Sequence, residues 1–375
     1  MQPLQGVKRR KQRYIEGNEV PQSFKIGHTR LCEGAMHEDD TLSISAVFVF
    51  NPVYGLIKRS QNVTSKAQLS EVRVSDKPII PSDGSPLIEK IPDNVQVSFE
   101  FFPPKTEKMH ERLWTAITRL APLNPRFMSV TYGAGGSTRE RTHDTVVRIQ
   151  KEMGIAAAAH LTCVGASREE VDGVARHYWD SGIKHIVALR GDPPKGDASF
   201  TAHPDGYAYA SDLVTGLKKV ADFEISVAAY PETHQDATSA DADLDNLKRK
   251  IDAGATRAIT QLFFDPDVYR RFRDKAVAAG ITVPIVPGLL PVTHVTQNVN
   301  FAKNTGTSVP PWLFDLFNGL DEDPGTRELV AASLAAEQVK RLVADGASEF
   351  HFYTLNRADL SYAICHVLGI RPQPH

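Results

Sequence analysis

Residues 95–102 read VQVSFEFF. Val95, Val97, Phe99 and Phe101 alternate with Gln96, Ser98 and Glu100, which is the two-residue period of a strand with unlike faces. The unusual member is Glu100, a carboxyl set among Phe99, Phe101 and Phe102. An ionised carboxylate taken out of water without a partner is so costly that its pKa moves up instead. Two readings of Glu100 stay open on this pattern: a paired structural glutamate, or a group raised in pKa and able to give a proton near neutral pH.

Seven more apolar runs follow: RFMSVTY at 126–132, AAAAHLTC at 156–163, HIVALRG at 185–191, EISVAAY at 224–230, AITQLFF at 258–264, VPIVPGLL at 283–290 and EFHFYTL at 349–355. Between them lie amphipathic stretches such as LDNLKRKIDAGA, where Leu244, Leu247 and Ile251 recur at helical spacing and Gly254 follows the last turn. Strands alternating with helices imply a parallel sheet, and eight such units over roughly 280 residues predict a closed (β/α)8 TIM barrel across residues 91–375. GAGGST at 133–138 has glycines at the wrong spacing for GxGxxG, which argues against an open dinucleotide-binding sheet. In the barrel, Val97, Phe99 and Phe101 face the helices, whereas Ser98, Glu100 and Phe102 face inward.

The remaining 90 residues are different in kind. They join short apolar pieces to scattered charges and to SDKPIIPSDGSP at 75–86, and they hold no sustained period, so they read as a weakly ordered extension or as a segment upstream of the true translation start. The whole chain has 375 residues, 41% hydrophobic and 23% charged, with a net charge of -2. This balance excludes the strongly basic face that nucleic-acid binding needs, and the KRRKQR cluster at 8–13 reads as a solvated tail. Cys32, Cys163 and Cys365 make no CxxC pair, which fits a reducing compartment. No run reaches the ~20 apolar residues of a membrane span, so the cytoplasm is the expected location.

Chemistry on a barrel of this kind sits at the C-terminal ends of the strands. The residues there are Glu100, Thr131, His160, the Arg190-Gly191-Asp192 step, Tyr230, Gln261, Gly288 and Leu355, most of them polar without a structural need. Asp192, on a loop stiffened by two prolines, can stabilise a developing cation or tune a bound ring, or else form a surface pair with Arg190. His160 has no second ligand at metal spacing in its segment, so no metal is expected. Gln261 suits an amide-bearing or heterocyclic ligand, Lys250 a phosphate, and Tyr209, Tyr230 and Phe301 offer faces for stacking. The aromatic insertion PPWLFDLF at 310–317 is placed to cover the mouth.

VSFEFFPPKT, SVTYGAGGS, HLTC, HIVALRGDPP, YASDLVT, ISVAAYPETH, NLKRKIDAGATRAITQLFFD and FHFYTLNRADLSYAICHVLG together resemble bacterial-type methylenetetrahydrofolate reductase, in that family's order from Val95 to Arg371. The resemblance implies a flavoprotein barrel that moves hydride from a reduced nicotinamide, NADH more than NADPH, through FAD to 5,10-methylenetetrahydrofolate. The product, 5-methyltetrahydrofolate, feeds methionine synthesis. It makes Glu100 the acid that protonates nitrogen 10 of the folate and Asp192 the group that stabilises the cation at nitrogen 5. Gln261 and Phe301 would contact folate or nicotinamide, and Arg357 the folate carboxylates. FAD would be held by Thr131, His160, Arg190, Gly191, Asp192 and Tyr209, and by Ala210, Tyr230, His234, Asp243 and Lys250. A homo-oligomer, often a tetramer, is implied, without the C-terminal domain that senses S-adenosylmethionine. The competing expectations are a flavin-free barrel aldolase or methyltransferase, which would be colourless, and an adhesion protein using an exposed Arg190-Gly191-Asp192.

Overall fold

The computed structural model describes residues 91–92, 94–133, 138–193, 200–292 and 294–373. The segment 1–90, expected to be a weakly ordered extension, lies outside the described residues.

Nine strands form one sheet in the order β7-β6-β5-β4-β3-β2-β1-β9-β8. They are β1 (Gln96–Phe101), β2 (Phe127–Val130), β3 (Ala157–Thr162), β4 (His185–Leu189), β5 (Glu224–Ala229), β6 (Arg257–Thr260), β7 (Ile285–Val286), β8 (Gly288–Leu289) and β9 (Glu349–Tyr353). Every pairing is parallel. The runs from the sequence thus become strands in order, with one difference. VPIVPGLL, read there as a single strand, is split into β7 and β8 at Pro287, which has no N–H to give to a ladder. The first half pairs with β6 and the second with β9, so the split strand joins the two ends of the sheet and closes the ring.

The helices are α1 (Glu107–Leu120), α2 (Arg139–Met153), α3 (Arg168–Asp180), α4 (Ala210–Val220), α5 (Ala240–Asp252), α6 (Pro266–Ala278), α7 (Val295–Thr305), α8 (Pro311–Phe317), α9 (Pro324–Ala344) and α10 (Asp359–Val367). In α5 the expected periodicity is realised. Ser239 caps the helix by accepting from Ala242 N–H at 3.1 Å, Leu247 is buried, and Gly254 adopts φ +115 just past the end.

Alternation along β1 divides the core as expected. Val97, Phe99 and Phe101 are at most 3% exposed and join Leu113, Ile117 and Leu120 of α1 between sheet and helices. Inside the ring a smaller cluster, Phe127, Ala158, Val187, Ile259 and Val286, fills the middle of the barrel. The insertion at 310–317 is the short helix α8, packed through Leu313 and Phe317 beside Leu262, Phe264 and Leu290 at the ends of β6 and β8. Its Trp312, Phe314 and Leu316 are exposed. No helix among the described residues is long and apolar enough to cross a membrane.

Candidate active site

Glu100 lies at the C-terminal end of β1, inside the ring. Parallel register sets Ser98 beside His351 and Glu100 beside Tyr353 on β9, and Glu100 beside Ser129 on β2. His351 Nδ1 is 2.7 Å from Ser98 Oγ, while its Nε2 is 3.4 Å from Glu100 Oε2. From β3, His160 Nε2 comes within 3.2 Å of the same carboxyl oxygen, turned off the line of a hydrogen bond. All three side chains are at most 14% exposed.

This arrangement corrects the expectation of a raised carboxyl pKa. Burial does push Glu100 up, and it is the largest single influence, but His160 and then His351 outweigh it together and bring the group from 4.5 to about 2. Glu100 is therefore ionised in the fold. His351 moves the other way, its pKa lowered by burial against the pull of Glu100, which leaves it a neutral ring donating Nε2–H to the carboxylate and accepting at Nδ1 from Ser98. Glu100 is thus a carboxylate met by two imidazoles rather than a lone carboxylic acid.

The residues expected to hold FAD fall mostly on the β3 to β6 side of the mouth. Thr131 follows β2, and its carbonyl accepts from Thr142 Oγ1 at 2.9 Å. Arg190, Gly191 and Asp192 follow β4. Gly191 has φ +92, and a Cβ there would stand 2.5 Å from Val164 Cγ1, so the position demands glycine. Asp192 is exposed, and the surface pair considered for it does not form: Arg190 Nη2 donates instead to Asp236 Oδ2 at 2.7 Å.

That contact begins a network. Asp236 N–H donates to His234 Nδ1 at 3.0 Å, and His234 N–H donates to Asp243 Oδ2 at 2.8 Å. The His234 ring meets Tyr230 edge-on at 4.6 Å. Burial, then Asp243 and Asp192, push the Tyr230 phenol up to about 12. Asp243 and Lys250 are buried on α5, and Lys250 Nζ donates to Ala228 O at 2.6 Å. Burial pulls this amine down to about 8 against the attraction of Asp243.

The other expected residues lie at the periphery. Tyr209 caps α4 and is 59% exposed, with Ala210 the first residue of that helix; Phe301 on α7 is 37% exposed. Arg357, also exposed, edges a cavity of about 120 Å³ shared with Glu328, Tyr353 and Leu360. Gln261 follows β6, and its Oε1 accepts from Leu262 N–H at 2.9 Å, which leaves the carboxamide NH2 for a ligand.

Ser98, His351, Tyr353 and Asn356 did not come forward from the sequence. A signal for three of them was present, since the alternation that turns Glu100 inward turns Ser98 inward in VQVSFEFF and His351 and Tyr353 inward in EFHFYTL. Asn356 gave none. It adopts φ +56 after β9 and grips the backbone of Phe102, accepting its N–H at 2.9 Å and donating to its carbonyl at 3.0 Å. The thiols of Cys163 and Cys365 are buried and pushed up to about 11 and about 12, mainly by burial, so neither is a reactive thiolate.

Ser129 Oγ on β2 and Thr162 Oγ1 on β3 are buried without a hydrogen-bond partner among the described residues. Such atoms are costly unless something polar meets them, and the polar edge of a flat ligand would do so. Unpartnered polar atoms of this kind and the glycine-only approach at Gly191 are compatible with a flat polar cofactor.

A parallel (β/α)8 ring with a buried carboxylate–imidazole cluster at the C-terminal ends of its strands is the architecture of a barrel enzyme. A family model described as methylenetetrahydrofolate reductase matches residues 87–369. The 5,10-methylenetetrahydrofolate reductases of Pectobacterium carotovorum and Escherichia coli K12 are 56% and 55% identical to this chain over 285 residues, covering 76% of it and 94% of each of theirs. Methylenetetrahydrofolate reductase (NADH) 1 of Arabidopsis thaliana is 36% identical, over 73% of this chain and 48% of its own. Among solved structures, an uncharacterized protein from Clostridium thermocellum that binds two copies of 5-methyl-5,6,7,8-tetrahydrofolic acid has a similar fold. Its TM-score is 0.50 at 17% identity, over 74% of this chain and 95% of that one. The chain belongs to the methylenetetrahydrofolate reductase family.

Proposed function

We propose that this chain reduces 5,10-methylenetetrahydrofolate to 5-methyltetrahydrofolate, an oxidoreductase step on a CH–NH group in one-carbon metabolism that supplies methyl groups for methionine synthesis. The observation that carries this is the buried Glu100 between His160 and His351, in a chain of this family. The electron donor is a reduced nicotinamide, with NADH expected and NADPH the alternative, and FAD is the bound cofactor. His160, Arg190, Gly191, Tyr230, His234 and Lys250 would hold the flavin, which supplies the hydride when bound.

The chain's own part is to bind, orient and protonate. Glu100 delivers the proton to nitrogen 10, opening the folate's five-membered ring. Because Glu100 is ionised in the resting fold, it must take up a proton from solvent as the folate binds, and it then passes that proton to the nitrogen. Asp192, on its loop after β4, faces the cation left at nitrogen 5. Phe102, at the rim, limits the water that could intercept that cation. Gln261 and Phe301 meet the folate or the nicotinamide, and Arg357, at the edge of the 120 Å³ cavity, meets the folate carboxylates. The proposal extends to a cytoplasmic homo-oligomer, whose mass light scattering would read.

The test is the anaerobic visible spectrum of the purified protein. Flavin absorbance is expected to bleach with NADH and to return with methylenetetrahydrofolate. A protein that stays colourless after incubation with FAD would overturn the reading.

A further inference from the structure

The split seventh strand leaves a gap in the barrel ladder, and side chains fill it. From the register Ile259 beside Val286, the next main-chain bond would run from Gly288 N–H to the Thr260 carbonyl. Instead Gly288 N–H donates to Thr260 Oγ1 at 2.9 Å, and the carbonyl accepts from Tyr353 Oη at 2.6 Å. To reach it the phenol passes over β8, which lies between β9 and β6. A Cβ on residue 288 would collide with Thr260 O and with Tyr353 Oη, which explains glycine there.

The Thr260 carbonyl belongs to the same rigid peptide plane as the Gln261 N–H. That N–H donates to Ala229 O at 2.8 Å. The plane from which Gln261 projects is thus clamped at both ends, by β5 on one side and by the Tyr353 phenol on the other. The phenol is a dependable donor there, because burial raises its pKa well above the ordinary value and keeps it neutral at any working pH. Its ring also walls the cavity that Arg357 edges, so a ligand lying there touches the element that orients Gln261.

We propose that Tyr353 is a positioning residue, which through the Thr260 carbonyl sets the direction of the Gln261 carboxamide toward the ligand. The inference rests on the proposed folate reduction and on the contact of Gln261 with folate. Tyr353→Phe leaves the carbonyl buried without its donor, and the folate KM should rise about tenfold at unchanged flavin content. Acting through Gln261, the same change in a Gln261→Ala background should raise the KM less than about twofold. Thr260→Val removes only the Gly288 rung and should give a smaller rise, about threefold, that also vanishes in the Gln261→Ala background; it carries the test if the phenylalanine variant does not fold.

Equal rises in both backgrounds, or no rise in either variant, would overturn the proposal. Unaltered chain that bleaches with NADH but never turns over folate would take down the function reading and this inference with it. Wild-type turnover with additive variants would take down the inference alone.

Discussion

The barrel buries charged groups at both of its ends, and the two ends treat them differently. At the N-terminal end of the strands, Arg257 is 2% exposed and pairs with Glu224 and with Glu349, with Arg126 alongside. At the C-terminal end, Glu100 faces His160 and His351. Each end sets carboxylate against cation or imidazole in a confined space. A guanidinium keeps its proton at any ordinary pH, so the lower cluster is electrostatically fixed. The upper cluster has no permanently charged cation, so a proton taken up there can be passed on. Which partner faces the carboxylate thus separates a structural pair from a chemical one.

The largest effect should come from breaking the upper cluster chemically. Glu100→Gln should keep flavin and accept electrons from the nicotinamide, but lose about 10²–10⁴-fold in folate reduction, read as flavin reoxidation by methylenetetrahydrofolate. Near-normal reoxidation would remove Glu100 from the acid role.

Breaking the lower cluster should cost stability instead. Arg257→Ala leaves two glutamates facing a buried gap, and about 3 kcal/mol is expected, a fall of about 5–10 °C in Tm. The low end of the range applies because Glu224 is 43% exposed and keeps part of its hydration. Folate reduction per folded molecule should persist at low temperature. If thermal scans show Tm unchanged, the lower cluster is not structural.

His351→Phe sharpens the comparison by removing one of the two rings that hold the Glu100 carboxyl down, which makes it bind a proton more readily. The pH above which folate reduction declines should move up, while the profile of flavin reduction by the nicotinamide stays put. Stopped-flow measurement of both half-reactions across pH decides it, and a shift common to both would assign His351 to general stability.

The smallest effect concerns acid stability. The Glu100 carboxyl is lowered in the fold from 4.5 to about 2, so on acidification the unfolded chain takes up this proton first. Its contribution is complete above about pH 4.5 and is lost as pH falls through about 2. The Tm gap between wild type and Glu100→Gln should hold steady from about pH 7 to 5 and narrow below about 4.5. A gap unchanged at about pH 3.5 would mean the carboxyl is not held ionised.

The strands could be read in the sequence because alternation is a local property. VQVSFEFF states which side chains face the helices, and Phe99 and Phe101 are fully buried there. The ends of those strands also marked out Glu100, His160 and Gln261, since a polar residue closing an apolar run stands out without any knowledge of its neighbours. What could not be read is what meets what. Glu100 and His351 are separated by 251 residues, and only closure of the ring sets β9 against β1. The direction of the carboxyl pKa depended on those contacts, because burial alone argued for the opposite sign. The split at Pro287 was visible as a proline, yet its consequence, a phenol reaching across a glycine to replace a ladder bond, belongs to the closed barrel.

The sequence by itself therefore determined the order of elements, the inward and outward faces and the identity of the carboxylate. The tertiary structure alone decided that His160 and His351 face this carboxylate and lower its pKa, and that the Tyr353 phenol holds the Thr260 carbonyl next to Gln261. The reason is physical: periodicity is carried by near neighbours along the chain, whereas the electric field and the hydrogen bonds at a site come from groups that only folding brings within a few ångströms.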